Sequence, residues 1–298
     1  MPISTLAIGT VLTASAIAAL MHKMAQLIRS ADKADDKAAP VASLPPLGRK
    51  EPANHTGIAW TTKTVNPFKG CTQCSPECQA CYAVQWAVRH QAKGSRGYAG
   101  TVKDGKFTGV IGIVPDEIDR LAQIKTDLVF VNSMSDTFHA KVPDSAVKAV
   151  FDAMAANPFG TRFQILTKRA TRMAKFSQGY AIPDKVWCGV TVGCKKSLKR
   201  LDALRKVKAV KRWVSCEPLL EDLDLTPWLA DGTLSWVVVG GESGPRFRPM
   251  DEKWAEDIWQ QCQRYGVPFF LKQWSARSPK TQTEYPPTIN GQVWHQFP

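Results

Sequence analysis

The sequence predicts an α/β fold, a complete or partial (β/α) TIM-type barrel in which parallel strands alternate with helices. Short apolar runs with little polar alternation recur along the chain, as expected for strands that are covered on both faces. Stretches with a helical repeat of apolar residues lie between these runs, which favours parallel strands joined by crossover helices. No dinucleotide-binding fingerprint follows any run, and this disfavours an open doubly wound sheet.

The strands are predicted where β-branched and aromatic residues cluster in short apolar runs. The first precedes a group of closely spaced cysteines and is predicted over residues 57–62. The six that follow are predicted over residues 127–131, 162–166, 186–192, 212–215, 234–240 and 267–271. Strands in this number and order fit a complete or partial barrel.

The helices are predicted where apolar residues recur at positions i, i+3, i+4 and i+7. One begins behind Pro143 and Asp144, which suit a helix start, and shows this repeat over residues 147–154. Further helices are predicted over residues 82–90, 198–204 and 254–265. Gly266 is placed to end the last of them.

The amino-terminal 54 residues are predicted to lie outside the working domain, which covers residues 55–298. Residues 3–21 are nearly all apolar or small, and no basic residue precedes them as it would in a signal peptide. A membrane tether and a surface helix stay open as interpretations of this segment, and the basic residues behind it favour a cytoplasmic domain. Residues 30–54 become charged and then proline-rich, which is typical of a linker.

The chain is basic and large enough for a sizeable core. Its 298 residues are 44% hydrophobic, and 39 lysines and arginines against 26 aspartates and glutamates give a net charge of +13. This charge indicates a polyanionic partner or a phosphate-bearing substrate. It does not define a nucleic-acid site, because no run of basic residues alternates with aromatic residues. The basic clusters at residues 195–200 and 205–208 are predicted to form solvated helix faces.

Four cysteines lie within eleven residues, and they indicate a metal or iron–sulfur site. Cys71 and Cys74 with Cys78 and Cys81 could bind zinc as two pairs, whereas Cys74, Cys78 and Cys81 have a spacing that suits a [4Fe–4S] cluster. Only three residues separate the two pairs, which favours iron over zinc. Disulfides are disfavoured because the other cysteines are scattered singly, as in a reducing cytoplasm, and are predicted to be core residues. These are Cys188, Cys194, Cys216 and Cys262.

Polar residues follow nearly every predicted strand. In a barrel the carboxyl ends of the strands meet at one mouth, where the chemistry gathers, although polar strand ends also cap helices. The turn over residues 240–245 could present backbone N–H groups to a carboxylate or phosphate. The candidate site residues at the mouth are Asn132, Ser133, Asp136, Thr167, Lys168, Glu217, Gly241 and Glu242.

From about Ile58 to Trp274 the chain resembles a phage-associated three-cysteine-motif family, which is itself similar to radical S-adenosylmethionine enzymes. The resemblance covers most of the domain, with its pieces in order. The matching pieces are Ile58-Ala-Trp-Thr61, Asn66-Pro-Phe-Lys-Gly-Cys71, Ser75-Pro-Glu-Cys78-Gln-Ala-Cys81-Tyr82-Ala83, Asn132-Ser-Met-Ser-Asp136, Ile165-Leu-Thr-Lys-Arg169, Ser215-Cys-Glu-Pro-Leu219, Gly240-Gly-Glu-Ser-Gly244 and Pro268-Phe-Phe-Leu-Lys-Gln-Trp274.

The resemblance implies a [4Fe–4S] cluster held by Cys71, Cys78 and Cys81, with Cys74 as an additional thiol. The wider superfamily instead spaces its three ligands as Cys74, Cys78 and Cys81. Three thiolates would leave one iron free to chelate S-adenosylmethionine, whereas four would close that position. The superfamily's Gly-Glu signature is missing after the strand that ends at Val131, so contacts to S-adenosylmethionine are inferred only from position at the mouth. Tyr82 could shield the cluster or pack on adenine.

The function expected from this resemblance is a radical S-adenosylmethionine-type iron–sulfur enzyme that acts on a nucleotide or nucleic acid and receives electrons from a reductant protein. Five cations near the mouth support such a substrate: Lys168, Arg169, Arg246, Arg248 and Lys272. The alternatives are a non-catalytic zinc-binding protein that binds nucleic acid, and a barrel that keeps its cluster for stability or redox sensing. No Ser-His-Asp or paired-carboxylate arrangement is predicted.

Overall fold

Seven parallel strands form one continuous sheet that curls into a half-barrel surrounded by helices. A computed structural model describes residues 56–278 and 285–298. Residues 1–55, which include the predicted apolar segment and linker, lie outside the described residues. Among the described residues, no helix is long and apolar enough to cross a membrane.

The strands and helices are numbered here in chain order over the described residues. The strands are β1 (Lys63–Val65), β2 (Phe68–Lys69), β3 (Val102–Lys103), β4 (Lys106–Phe107), β5 (Gly112–Ile113), β6 (Leu128–Val131), β7 (Arg162–Thr167), β8 (Val186–Thr191), β9 (Lys211–Cys216), β10 (Trp236–Gly240), β11 (Phe269–Gln273), β12 (Thr288–Ile289) and β13 (Gln292–Val293). The helices are α1 (Tyr82–Ala92), α2 (Pro115–Gln123), α3 (Asp144–Ala156), α4 (Ala170–Gly179), α5 (Lys199–Arg205), α6 (Thr226–Ala230) and α7 (Glu252–Tyr265). Short 3₁₀ turns cover Pro76–Cys78 and Lys195–Ser197.

The large sheet has the order β1-β6-β7-β8-β9-β10-β11, so each later strand adds to the same side. No pairing among the described residues joins β1 to β11, and the prediction of a complete barrel is therefore wrong while that of a partial barrel holds. The outer edge of β11 is covered near its amino end, where the Leu271 N–H donates to the Trp294 carbonyl at 2.8 Å. All seven strands are parallel, so their carboxyl ends share one edge.

Six of the predicted strands are confirmed with shifts of one or two residues at their ends, and the strand predicted over residues 57–62 is wrong. That segment forms a turn, in which the Thr61 N–H donates to the Ile58 carbonyl at 3.1 Å. The strand begins at Lys63 instead and pairs with Val129–Val131. The apolar residues that suggested a strand include Trp60, which turns into the concave face of the sheet.

The concave face is filled by aromatic side chains. Trp60 packs between Phe130, Trp213 and Trp236, with ring centroids 4.8 to 6.3 Å away. Trp187 and Phe270 belong to the same cluster. Several of these residues lie near the amino ends of their strands, so the concave face stays open for a cavity at the carboxyl edge.

The convex face packs against the helices, as the periodicity predicts. Helix α3 buries Val147, Val150, Phe151 and Met154. Helix α7 begins with the Asp251 side chain accepting the Lys253 N–H and ends at Gly266 in a left-handed conformation. The four singly placed cysteines are buried free thiols, as predicted for core residues.

Candidate active site

A cavity of about 180 Å³ lies at the carboxyl edge of the sheet, and all the sequence-predicted site residues line it. The four loop cysteines line one part of it, and residues at or just after the carboxyl ends of β6 to β11 line most of the rest. Parallel strands explain this convergence, because their carboxyl ends meet at one edge even when they are far apart in sequence. The predicted residues brought together are Cys71, Cys74, Cys78, Cys81, Asn132, Ser133, Asp136, Thr167, Lys168, Glu217, Gly241 and Glu242.

The cysteine loop runs from β2 to α1 and is shaped by backbone constraints. Gly70 has a φ of +85°, and a Cβ there would lie 2.2 Å from the Val110 carbonyl oxygen, so only glycine fits. The Ser135 hydroxyl donates to the Gly70 carbonyl at 2.6 Å and ties the loop to the segment after β6. Cys78 ends a 3₁₀ turn and Cys81 immediately precedes α1. These constraints direct the loop over the edge of the sheet.

The four loop cysteines are free thiols with different surroundings. Cys78 is buried, Cys71 and Cys81 are partly buried, and Cys74 is exposed. A hydrogen bond from Cys74 lowers the pKa of Cys78, and the Lys168 ammonium lowers it further against the opposing effect of burial. Burial raises the pKa of Cys71 to about 11, although the Arg169 guanidinium acts in the opposite direction. Among the described residues, no three histidine, cysteine or carboxylate side chains are grouped as ligands of a single metal ion.

Lys168 is a partly buried residue of the cavity wall, and the charge of its ammonium group interacts with Cys78 and Cys81. Burial acts to lower its pKa, but the charges of Cys78, Cys81 and Glu77 outweigh burial, so the pKa is raised. Its Nζ lies 3.4 Å from the Thr191 hydroxyl at the end of β8. A cation here compensates negative charge on the thiolates.

Asp136 organises this wall, and each of its two carboxylate oxygens accepts two hydrogen bonds from protein groups. One carboxylate oxygen accepts the Phe138 N–H at 2.9 Å and the Thr167 hydroxyl at 2.6 Å. The other accepts the Lys168 N–H at 3.1 Å and Arg169 Nη1 at 2.8 Å. Asp136 therefore positions its neighbours and has no lone pair directed at a ligand in this arrangement.

The Arg169 side chain connects Asp136 to the cysteine loop. Its Nη2 donates to the Thr72 hydroxyl at 2.9 Å, and its Nη1 lies 4.0 Å from the Cys71 sulfur. His139 contacts the same hydroxyl through Nε2 at 2.8 Å, while its Nδ1 accepts the Lys141 N–H at 3.2 Å. This pattern assigns the proton to Nε2. No local pattern pointed to His139, because 67 positions of the chain separate it from Thr72.

Asn132 and Ser133 hold the framework of the cavity. Asn132 has a φ of +65°, accepts the Phe68 N–H at 2.9 Å and donates to the Thr137 hydroxyl at 2.8 Å. The Ser133 hydroxyl donates to Asn66 Oδ1 at 3.0 Å, and its carbonyl accepts the Tyr82 hydroxyl at 3.0 Å. The side chains of both residues are thus committed to other protein groups.

Glu77 is a buried member of the cysteine loop that sequence reasoning missed. Its carboxylate accepts Arg200 Nη1 at 3.0 Å and the Gly193 N–H at 3.1 Å. Burial acts to raise its pKa, but Ser197, Ser75 and Arg200 outweigh burial and lower the pKa to about 2. The prediction that residues 195–200 form a solvated face is wrong for Arg200, whose side chain is only 10% exposed. The position of Glu77 between Pro76 and Cys78, inside the cysteine loop, was the sequence feature that could have marked it as a site residue.

Glu242 and Arg248 clamp the other side of the loop. Arg248 Nη2 lies 2.5 Å from Glu242 Oε1 and also donates to the Pro76 carbonyl at 3.1 Å. The neighbouring turn does not offer the N–H groups expected for an anion, because the Gly241 N–H donates to the Gln273 carbonyl at 2.8 Å and the Gly244 N–H to the Ala276 carbonyl at 3.1 Å. The predicted anion-binding role of residues 240–245 is therefore wrong for these two groups.

Glu217 connects the cavity to its aromatic floor. One oxygen pairs with Lys272 Nζ at 2.8 Å, and the other accepts Trp60 Nε1 at 3.0 Å. Of the five cations predicted near the mouth, Arg169, Arg248 and Lys272 thus have carboxylate partners in the protein. Arg246 lines a second, larger cavity beside this one.

A family model described as "Protein of unknown function (DUF5131)" matches residues 55–298, and the chain therefore belongs to that family. No curated protein and no solved structure matches the chain. The family match spans all of the described half-barrel.

Proposed function

We propose that this member of the DUF5131 family is a radical S-adenosylmethionine-type iron–sulfur enzyme that acts on a nucleotide or nucleic acid. One observation carries the proposal: four free thiols in a single loop line the cavity at the carboxyl edge of an α/β half-barrel. Enzymes built on parallel α/β sheets place their chemistry at this edge.

The donor set of the loop fits an iron–sulfur cluster. Thiolates are the ligands that such clusters prefer, and Lys168 supplies positive charge that interacts with Cys78 and Cys81. We assign the ligands to Cys71, Cys78 and Cys81. Cys71 is partly buried with Arg169 Nη1 4.0 Å from its sulfur, whereas Cys74 is exposed. When bound, a cluster of this kind would supply the electron that cleaves S-adenosylmethionine to methionine and a 5′-deoxyadenosyl radical.

The other residues of the site would hold the loop and exclude water. The Glu77–Arg200 and Glu242–Arg248 pairs fix the loop from two sides. The Asp136–Arg169 pair fixes the end that carries Cys71. Trp60 and its aromatic neighbours close the cavity from below, which keeps solvent from reactive groups above them.

Metal analysis after anaerobic purification tests the proposal. We expect about four irons and four sulfides per chain, a reducible brown chromophore, and release of 5′-deoxyadenosine from S-adenosylmethionine on reduction. Cys78→Ala and Cys81→Ala should each lose most of the iron, while the matched control Cys188→Ala, which removes a core thiol, should keep it. Cys71→Ala should lose the cluster and Cys74→Ala should retain it.

Two results would contradict the proposal. About one zinc per chain with no sulfide would indicate the zinc-binding alternative. Iron and sulfide without any cleavage of S-adenosylmethionine, with DNA, RNA and nucleotides each supplied, would indicate a cluster that serves stability or redox sensing.

A further inference from the structure

We propose that the large cleft beside the cysteine cavity binds a single strand of DNA or RNA, with bases stacked on Tyr82 and Trp86 and phosphates held by the surrounding cations. The inference deepens the proposed function, on which it rests, by naming the form of the nucleic-acid substrate.

The cleft has a volume of about 1360 Å³ and lies across the open side of the half-barrel. Thr64 of β1 lines it on one side, and Lys272 and Gln273 of β11 line it on the other. Cys81 and Tyr82 line both the cleft and the cysteine cavity, so the two spaces meet at the start of α1. A polymer in the cleft would pass directly over the cysteine cavity.

Helix α1 presents aromatic rings to the cleft. Tyr82 and Trp86 are one turn apart on the same face of the helix and are 44% and 50% exposed. The opposite face buries Ala83, Val84 and Ala87. On the aromatic face, the His90 ring centre lies 6.5 Å from that of Trp86, and the Tyr82 hydroxyl donates to the Ser133 carbonyl, which leaves large parts of both rings exposed. The Arg89 guanidinium lies 5.2 Å from the centre of the Trp86 ring. Exposed aromatic rings beside cations are the usual platform for unpaired bases.

The cleft also carries cations that form no salt bridge with the described residues. Lys69 is a wall residue only 8% exposed, and its Nζ lies 5.4 Å from the Tyr98 ring centre. The charge of Glu117 acts on Lys69, but no carboxylate among the described residues forms a salt bridge with it. Arg89, Arg246 and Arg277 line the cleft and likewise make no salt bridge within the described part of the chain. The carboxylates of the cleft, Asp116 and Glu117, are already paired with Arg96 and Arg120. A lysine buried in the wall without a salt bridge, together with three arginines in the same state, favours an anionic ligand, and a phosphodiester chain supplies charges at several points.

The arrangement favours a single strand over a duplex. Stacking on Tyr82 or Trp86 requires bases that are not already stacked and paired, and a duplex presents only phosphates and groove edges to such rings. A base stacked on Tyr82 would lie at the junction with the cysteine cavity, where the proposed chemistry occurs. The sequence did not reveal this surface, because Arg246 and Arg277 are distant in sequence from the aromatic residues of α1.

Fluorescence anisotropy with labelled 12-nucleotide probes tests the proposal on the full-length, anaerobically purified protein. Single-stranded DNA, the same sequence as RNA, and the DNA duplex would be titrated at low salt. We expect both single strands to bind more tightly than the duplex. Trp86→Ala should weaken single-strand binding about 5- to 100-fold, and Trp86→Phe, which keeps a stacking ring, should recover most of it.

The matched control is Phe159→Ala, which removes an exposed ring that also carries a cation, Lys125, but lies before β7 at the opposite edge of the sheet. It should leave binding within about twofold of the wild type. For the charges, Arg246→Gln with Arg277→Gln should lower the slope of log affinity against log salt by about 0.7 per lost phosphate contact. The control pair Arg264→Gln with Lys206→Gln removes the same charge elsewhere and should not change the slope.

The proposal is overturned if the duplex binds as tightly as the single strands, if Trp86→Ala equals Phe159→Ala, or if polyglutamate binds as well as DNA. Repeating the titration with Cys78→Ala separates this surface from the chemistry. Retained binding in a wild-type protein that releases no 5′-deoxyadenosine would defeat the proposed enzyme and leave the surface standing. Release of 5′-deoxyadenosine without strand binding would defeat the surface alone.

Discussion

At the scale of single residues, His139 shows how the site uses a neutral imidazole. Burial lowers the pKa of His139 to about 4, and the neighbouring Arg169 guanidinium adds to the effect. The neutral ring donates from Nε2 to the Thr72 hydroxyl, which also accepts Arg169 Nη2. Thr72 follows Cys71 directly, so this histidine supports the end of the loop that carries the first cysteine.

This histidine gives a pH dependence whose sign follows from the lowered pKa. Between the ordinary value of 6.5 and the folded value of about 4, the unfolded chain binds more protons than the folded chain. The contribution of His139 to stability is therefore complete above pH 6.5 and is lost as the pH falls towards 4. In His139→Gln, which keeps a donor near Nε2, the loss of stability between pH 7 and pH 4.5 should be smaller by roughly 1 kcal/mol.

Urea unfolding of the metal-free protein at several pH values measures this difference. Comparing the two proteins cancels the titration of groups that they share. Parallel stability curves for wild type and His139→Gln would contradict the lowered pKa of His139.

At the scale of elements, the cysteine loop is held by partners from distant parts of the chain. Glu77 meets Arg200 across 123 residues, and Arg248 reaches Gln79 across 169 residues. Glu77 belongs to the 3₁₀ turn at Pro76–Cys78, and Gln79 follows that turn directly. The loop is therefore a docked element whose position depends on the folded sheet.

Arg248→Gln should loosen this loop without unfolding the domain. The variant loses the charged contact to Glu242 and the bond to the Pro76 carbonyl. Because Arg248 is partly exposed, we expect local opening to become easier by about 1 kcal/mol, which is a roughly fivefold faster alkylation of Cys78 in the metal-free protein. Mass spectrometry of the labelled thiols measures this rate.

A second thiol and a control variant make that experiment specific. Cys188 is fully buried in the core, so its alkylation reports opening of the whole domain. Arg264→Gln changes an exposed arginine away from the loop and should leave both rates unchanged. Equal acceleration of Cys78 and Cys188 in Arg248→Gln would show that Arg248 supports the domain rather than the loop.

The elements also show what local sequence determines and what it does not. Helix α3 and six strands follow from periodicity, because apolar side chains at those spacings must be buried on one face or on both. The local pattern wrongly predicted a strand over residues 57–62. Trp60 is apolar because it packs into the concave face of the sheet from a turn, not because it belongs to a strand. The pattern also left out Glu77, His139 and Arg200, whose roles depend on partners that only the folded chain brings near.

At the scale of the whole molecule, the aromatic floor of the half-barrel sets the height of the cavity. Gly189 in β8 gives the Trp213 ring its space, since a Cβ at this position would lie 2.3 Å from Trp213 Cε2. Trp213 in turn packs against Trp60 and Trp236. Trp60 donates to Glu217 in the cavity wall, so the floor and the wall are coupled.

Gly189→Ala should therefore disturb the whole concave cluster. We expect a loss of about 1–3 kcal/mol in the free energy of unfolding, together with a changed near-ultraviolet circular dichroism spectrum from displaced tryptophans. Gly160→Ala is the control, because a Cβ there has no neighbour within 4 Å. Unchanged stability and an unchanged spectrum in Gly189→Ala would mean that the floor adapts to the added methyl group at no cost.

Strand count alone could not decide between a closed and an open barrel. Closure depends on whether the first and last strands pair, and among the described residues the three-residue strand β1 pairs with β6 along one edge only. Residues 294–296 meanwhile occupy part of the outer edge of β11. The convergence of the twelve predicted residues was accessible from sequence because it depends only on strand direction, which is the same in the open and the closed form.

The missing segment of the barrel wall has a mechanical implication. In a closed barrel the loops that follow the strands surround the mouth on all sides, so a long polymer must bend sharply or extrude a loop to reach the centre of the mouth. A sheet that stops between β1 and β11 leaves a sideways entrance, so an interior position of a very long or circular molecule can be approached without any free terminus.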